Sequence, residues 1–292
     1  NSNKITLSFR DILLAAVSTI FLGFGFVIAK PAFEYFPPFL LLGLRFTIAA
    51  MIMIWWFPIP KKFLKQLFLV SLVANTIQYS LTFSGLNMVD ASAAVLIVQA
   101  EVPFGVIAAY FLLKEKPGIR SIIGISFAFF GVYILSGSPS LEGKLLGIFL
   151  VLSGAATWGF GQVLAKPLTE KMNPIALAAW LCLMSGPILI ALSAIFDGNT
   201  INYLYSANLS SWLIVGYLGI IMQPITYGCW YYVLKRNPVH KVMPIVTCGL
   251  PLTGFLAAIF LLGEKPTTEL IVGGIIILFG VGIVLFGQQK DN

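Results

Sequence analysis

The chain has 292 residues, of which 59% are hydrophobic and only 10% charged, and its mean hydropathy of +0.95 excludes a monomeric domain in water. Its net charge of +7 is spread over the ends of apolar runs instead of forming a patch, which argues against nucleic acid as a partner and for a lipid bilayer. Cys182, Cys229 and Cys248 all lie inside apolar runs, where a thiol behaves as a small apolar group, so neither a disulfide nor a metal site is expected.

A helix needs about 20 apolar residues to cross roughly 30 Å of hydrocarbon. Ten such runs follow one another, at approximately 12–30, 39–57, 66–88, 91–113, 120–137, 144–165, 174–196, 211–234, 239–262 and 268–287. They are continuously apolar and lack the roughly ten-residue alternation of barrel strands, so the predicted fold is all-α and integral to the membrane. The first run is too long for a secretory signal, has Lys30-Pro31 and no small-residue cleavage site behind it, and precedes nine further spans. The longest connections, 58–65 and 197–210, are too short to hold a soluble catalytic domain.

The first and sixth runs share a segment. Gly23-Phe24-Gly25-Phe26-Val27-Ile28-Ala29-Lys30-Pro31 returns 136 residues later as Gly159-Phe160-Gly161-Gln162-Val163-Leu164-Ala165-Lys166-Pro167, with seven of nine positions identical. The fourth and ninth runs end alike, in Leu112-Leu113-Lys114-Glu115-Lys116-Pro117 and Leu261-Leu262-Gly263-Glu264-Lys265-Pro266. The chain therefore reads as a duplication with halves 1–137 and 138–292, joined through 137–143. Five spans is an odd number, so the second half must enter the membrane from the opposite side. With the amino terminus inside, fourteen basic residues fall on the inner face and only Lys30, Lys144 and Lys265 on the outer, leaving Arg45 within a span. That asymmetry predicts cytoplasmic termini. Two inverted halves suit alternating access, because exchanging their conformations turns an inward-open state into an outward-open one.

The layout of five plus five helices resembles the EamA-type members of the drug/metabolite transporter superfamily. So do Pro37-Pro38 followed by Gly43-Leu44-Arg45-Phe46, the prolines Pro103 and Pro251 midway along the fourth and ninth helices, and the Leu-Leu-x-Glu-Lys-Pro endings. The resemblance covers nearly the whole chain. It implies export of amino acids and related metabolites, although similar proteins move nucleotide-sugars, bases, drugs or cofactors. From Pro37 to Gly137 the chain looks most like bacterial exporters of cysteine-type and other small amino acids, which implies the bacterial cytoplasmic membrane, and a monomer is expected. One departure stands out: Lys114 replaces the glycine that precedes glutamate in the second copy, Gly263.

Charge inside a bilayer costs from about 2.5 to well over 10 kcal/mol, so each polar group there calls for a reason. Glu101 is the one carboxylate at the middle of a span. It is expected to face a wet cavity, where it takes up a proton or pairs with a substrate ammonium. The competing reading, an acid that holds helices 3 and 4 together, is weakened by its repeat counterpart being Gly249 or Leu250. Ser71, Asn75, Gln78 and Thr82 share one face of helix 3 and are read as cavity lining, the alternative being bonds to neighbouring helices. Gln99 points away from Glu101 and is read as a bridge between helices. In the second half Trp158 and Gln162 share a face of helix 6, and Gln162 is the polar replacement for Phe26 in the repeated segment. Gln223, Tyr227, Trp230 and Tyr231 gather amide, phenol and indole groups on helix 8; Tyr227 and Trp230 are taken as the cavity pair, suited to a small zwitterion.

Arg45 lies about 10 Å into helix 2 at 1.5 Å per residue and is given a structural role, snorkelling to headgroups or bonding to carbonyls. His240 starts helix 9 beside basic residues and is read as a surface group. Pro103, Pro224, Pro244 and Pro251 permit bends, and Gly23, Gly25, Gly159 and Gly161 permit close helix packing. Both sets are expected to let helices 3, 4, 8 and 9 rock.

No Gly-x-x-x-x-Gly-Lys-[Ser/Thr] segment occurs, so a gradient is the expected energy source. A membrane-embedded enzyme needs clustered His, Asp and Cys groups or metal ligands, and one histidine with one buried acid does not supply them. A channel calls for rings of like groups about a symmetric pore, which two asymmetric polar faces do not make. The sequence thus predicts a secondary exporter of amino acids or similar polar metabolites, without cofactor, metal or nucleic acid. Drugs, bases or nucleotide-type metabolites are the alternative cargo.

Overall fold

A computed structural model describes residues 8–114, 116–198, 200–236 and 239–288, without the side chains of 227, 228, 230, 231, 234, 235, 239–248 and 286–288. The described residues form helices and no strand. The long ones are α1 (Phe9–Ala32), α2 (Pro38–Trp56), α3 (Lys61–Met88), α4 (Ala91–Leu113), α5 (Ile119–Ser136), α6 (Leu145–Lys171), α7 (Pro174–Phe196), α8 (209–236), α9 (Val239–Leu262) and α10 (Thr268–Gln288). A short helix, Thr200–Ser206, lies between α7 and α8. Among the described residues nine helices are long and apolar enough to cross a membrane, and the described part of α9 is a shorter apolar helix.

Local sequence accounts for the helix starts. Ser8 accepts from Asp11 N to cap α1, Asn208 from Ser211 N to cap α8, and Asn173 from Ile175 N and Ala176 N to cap α7, with Pro174 at the first helical position. Three helices are interrupted. The ladder of α4 tightens to a 3₁₀ turn at Val98–Ala100, while α3 and α8 widen to π turns at Ser71–Ile77 and Tyr217–Met222. Both π turns end on a glutamine, Gln78 and Gln223. In α8 the widening coincides with Pro224, which has no N–H and whose ring would strike the carbonyl four residues back.

The bundle is apolar on its outer surface, and its mostly apolar interior also holds polar side chains. Buried polar residues include Ser71, Thr76, Thr82, Gln99 and Ser185, whereas Phe111, Phe149, Phe260 and Phe279 point outward. Trp55 and Trp56, at the end of α2, are 79% and 72% exposed, as expected of rings at the lipid–water boundary.

Two seams show the antiparallel relation of the halves. Gly131 of α5 meets Gly273 of α10, and Gly124 meets Gly280, so one helix runs against the other. Gly43 of α2 meets Gly186 and Ile190 of α7 in the same sense. A third contact occurs twice. A Cβ on Gly23 of α1 would sit 2.7 Å from Gly254 N of α9, and one on Gly159 of α6 would sit 2.6 Å from Gly105 N of α4. Gly159 is the repeat counterpart of Gly23, and Gly105 lies 149 residues before Gly254. The chain is therefore an all-α membrane protein of ten helices in two inverted sets of five, with α1, α8 and α9 packed as one bundle and α3, α4 and α6 as another.

Candidate functional site

Among the described residues the two bundles are joined at one face, and no apolar cluster joins them at the other. Towards the face that carries Lys30, Asp90, Lys144 and Glu264, a single apolar core runs through Val27, Phe36, Leu86, Leu96, Leu135 and Ala258. There the first half of α4 packs on α1 and α9, with Val95 against Gly254. Towards the face that carries Lys61 and Arg236, the core continues along α2 to Met53, and two further clusters of described apolar residues stand apart from it. One joins Leu67, Val70, Ala165, Leu168, Leu177 and Trp180 of α3, α6 and α7; the other joins Ala15 and Val233 of α1 and α8. Equivalent positions report the difference. Gly254 has Val95 at its Cβ position, whereas no described atom lies within 4 Å of that position at Gly105.

Glu101 stands where the single core gives way to the two clusters. It follows the 3₁₀ turn of α4, shares a helix face with Gly105 one turn on, and is half-buried. Among the described residues its carboxylate has no hydrogen-bond or ion-pair partner, and it lies within electrostatic reach of the Tyr79 phenol. On α6 Trp158 is half-buried and Gln162 exposed. Phe26, the counterpart of Gln162, instead packs edge-on against Phe83, with centroids 5.5 Å apart, at the joined face. One repeat position is thus packed in one half and open in the other. Pro103 is buried two residues beyond Glu101.

The α3 stripe is less open than its spacing suggests. The π turn rotates its members, and all of them are buried. Ser71 donates to Phe68 O at 3.0 Å, and its own carbonyl accepts from Ser185 of α7. Gln78 donates to Thr82 Oγ1 at 3.1 Å, and Thr82 is pressed on Gly154 of α6. Asn75, at 6% exposure, has no described side-chain hydrogen bond. Ser71 and Thr82 are therefore helix contacts and not cavity walls. Gln99 is no interhelical bridge either: its amide reaches Val95 O of its own helix, at 3.5 Å.

Arg45 does not snorkel to headgroups, and the carbonyl it bonds is that of a side-chain amide. It is 2% exposed, donates from Nη2 to Gln223 Oε1 at 2.6 Å, and sits over the rings of Phe46, Tyr79 and Phe83 at 5.2, 5.3 and 5.8 Å. Gln223 in turn donates to Cys182 Sγ at 3.6 Å. Gln223 is thereby committed to the arginine and withdrawn from the polar face expected on α8. The side chains of Tyr227, Trp230, Tyr231 and His240 lie outside the described residues. Pro251 is buried in α9, and Gly23 and Gly159 occupy the paired seams already described.

A second charged group escaped the sequence reading. At the joined face a pocket of about 540 Å³ is bordered by Lys30, Glu34, Asn87, Asp90 and Glu264. The recurrence of Lys30 and Glu264 in both copies was the available signal, but nothing in the spacing says that they meet at the turn between α3 and α4.

A ten-helix membrane bundle of two inverted halves is the architecture of a membrane transporter and not of an enzyme. The chain belongs to the EamA-like transporter family, which matches residues 10–137 and 145–286. It is 29% identical to a probable amino-acid metabolite efflux pump of Escherichia coli, over 97% of each chain. A pump of the same description from Salmonella typhimurium is 28% identical over 96% of each chain. The uncharacterized transporter YoaV of Bacillus subtilis is 24% identical over 92% of this chain and 95% of its own. A solved crystal structure aligns with 98% of this chain and 99% of its own at a TM-score of 0.66 and 19% identity, which establishes likeness of fold.

Proposed function

We propose that this transporter exports amino acids or related small polar metabolites across the cytoplasmic membrane by alternating access, with Glu101 coupling that movement to protons. The observation that carries the reading is a mid-span carboxylate without a described partner, placed where the bundles part. An acid so placed is costly to keep charged unless it is wetted, protonated or paired with a ligand cation. A zwitterion supplies that cation through its ammonium group, and a proton supplies it in the return step. Trp158, Gln162 and Asn75 are the described side chains best placed to line the path, with Gln78 behind them and Tyr227 and Trp230 on the opposing helix. The pump names of two relatives point to the same cargo.

Residues 1–137 and 138–292 are taken as the two repeats, each giving helices to both moving bundles, with both termini cytoplasmic and the joined face outside, so the conformation described is read as inward-open. The bundle is complete within one chain, which supports a monomer. The test is uptake and efflux of a panel of labelled amino acids in reconstituted vesicles, with and without an imposed pH gradient. Accumulation that follows the gradient is expected. Transport indifferent to the gradient leaves passive facilitation, and failure to move any amino acid assigns the cargo to another class.

A further inference from the structure

Helix α4 begins with an acid at its cap position, Asp90, yet that side chain caps nothing, because it is drawn to the Lys144 ammonium at 3.1 Å. The amides of the first turn are taken instead by Glu264, 172 residues further along the chain and just beyond the end of α9. Its Oε1 accepts from Ala91 N at 2.7 Å, and its Oε2 accepts from Ser92 N at 3.0 Å and from the Ser92 hydroxyl at 2.6 Å. The turn that aims this carboxylate is specific. Gly263 adopts a left-handed φ of 66°, its N–H closes on Ile259 O at 3.1 Å, and the Glu264 N–H closes on Ala258 O at 3.3 Å.

The other side of the same corner is held in the complementary way. Lys30, near the end of α1, donates to Leu86 O at 3.2 Å and to Val89 O, where α3 ends. An anion at a helix amino terminus and a cation at a carboxyl terminus each match the helix dipole. The helices that supply these groups differ from the helices that receive them. Lys30 and Glu264 come from α1 and α9, whereas the corner belongs to α3 and α4 of the opposite bundle. The Lys144–Asp90 pair, by contrast, joins α6 to α4 within one bundle.

We propose that Glu264 and Lys30 form the latch of the gate at this face, gripping the corner between α3 and α4 when the gate is shut and releasing it when the bundles part. The proposal rests on the alternating-access reading and adds the residues that hold one of its two states. In sequence their repeat counterparts are Glu115 and Lys166, of which Glu115 lies outside the described residues. A helix cap is strong enough to bias a shut gate by about tenfold and weak enough for ligand binding to overcome.

The test uses Val95→Cys in a protein whose three native cysteines are replaced, held in lipid nanodiscs. Val95 is fully buried against Gly254, so a thiol there reacts with an impermeant maleimide only when α4 and α9 separate. Glu264→Gln and Lys30→Met are each expected to raise the labelling rate about tenfold, with elution profiles like the parent's, while Lys144→Gln leaves the rate unchanged. If both latch variants label at the parent rate while an amino-acid mixture still changes the parent's rate, the latch is refuted and alternating access stands. A rate raised equally by Lys144→Gln refutes it as well, since loosening of the loops is then the cause. A parent rate that ignores the amino-acid mixture, with all variants alike, overturns the latch together with the reading beneath it.

Discussion

Lys114 has the one left-handed backbone among the described non-glycine residues, φ 61°, at the position where the second copy has Gly263 at φ 66°. A side chain there crowds the neighbouring carbonyl, at a cost of about 1–2 kcal/mol. Lys114→Gly is therefore expected to stabilise the protein by roughly 1 kcal/mol in detergent unfolding, and Gly263→Ala to destabilise it by a similar amount. Arg45 makes a second residue-scale case. Its guanidinium fills a slot between three rings and an amide, which an ammonium cannot reproduce, so Arg45→Lys is expected to cost about 1–3 kcal/mol in the same assay. Glu101→Gln keeps the shape and removes the titratable group. Under the proposed coupling, amino-acid accumulation driven by a pH gradient falls to the level of protein-free vesicles; an undiminished response would remove the role given to Glu101. The mid-span position of Glu101 was legible from the sequence. The cage around Arg45 was not, because Gln223 and Tyr79 lie far from it along the chain and meet it only through packing.

At the scale of elements, the helix limits were read nearly as found, since apolar length fixes them. The largest shift is in α6, which continues to Lys171 through Pro167, beyond the apolar run ending at 165. Hydropathy ends where the chain leaves lipid, but hydrogen bonding does not. The glycine seams were legible as small-residue faces without their partners. Those partners give a prediction. A Cβ at Gly159 would meet Gly105 N at 2.6 Å and Phe104 C at 2.8 Å, both backbone atoms, so Gly159→Ala must push α6 from α4 and is expected to cost about 1–3 kcal/mol. Gly282→Ala in α10 meets no described atom within 4 Å and is expected to be neutral or mildly stabilising. The 3₁₀ and π turns were not legible. Pro224 and Pro103 hinted at two of them, since each lacks the N–H that would bond the carbonyl four residues back, but the turn in α3 contains no proline. They matter because they break the ladders of three of the helices expected to rock, α3, α4 and α8, near Glu101, Gln78 and Gln223.

For the whole molecule, the duplication was the decisive sequence signal, because an odd number of spans per copy forces inversion and inversion supplies two exchangeable conformations. What repeats alone do not give is which conformation is held. The proposed inward-open state rests on packing among the described residues: a continuous core at the Lys30 face, and clusters at the Arg236 face that do not join the two bundles. The account therefore turns on motion of one bundle against the other. Its most direct test is a pair of spin-label distances in lipid, between positions 9 and 110 at the Arg236 face and between positions 34 and 87 at the Lys30 face, taken with and without amino acids. The account predicts two populations whose separations change in opposite senses, the first pair closing as the second opens. A single fixed separation at both faces under every condition would contradict it.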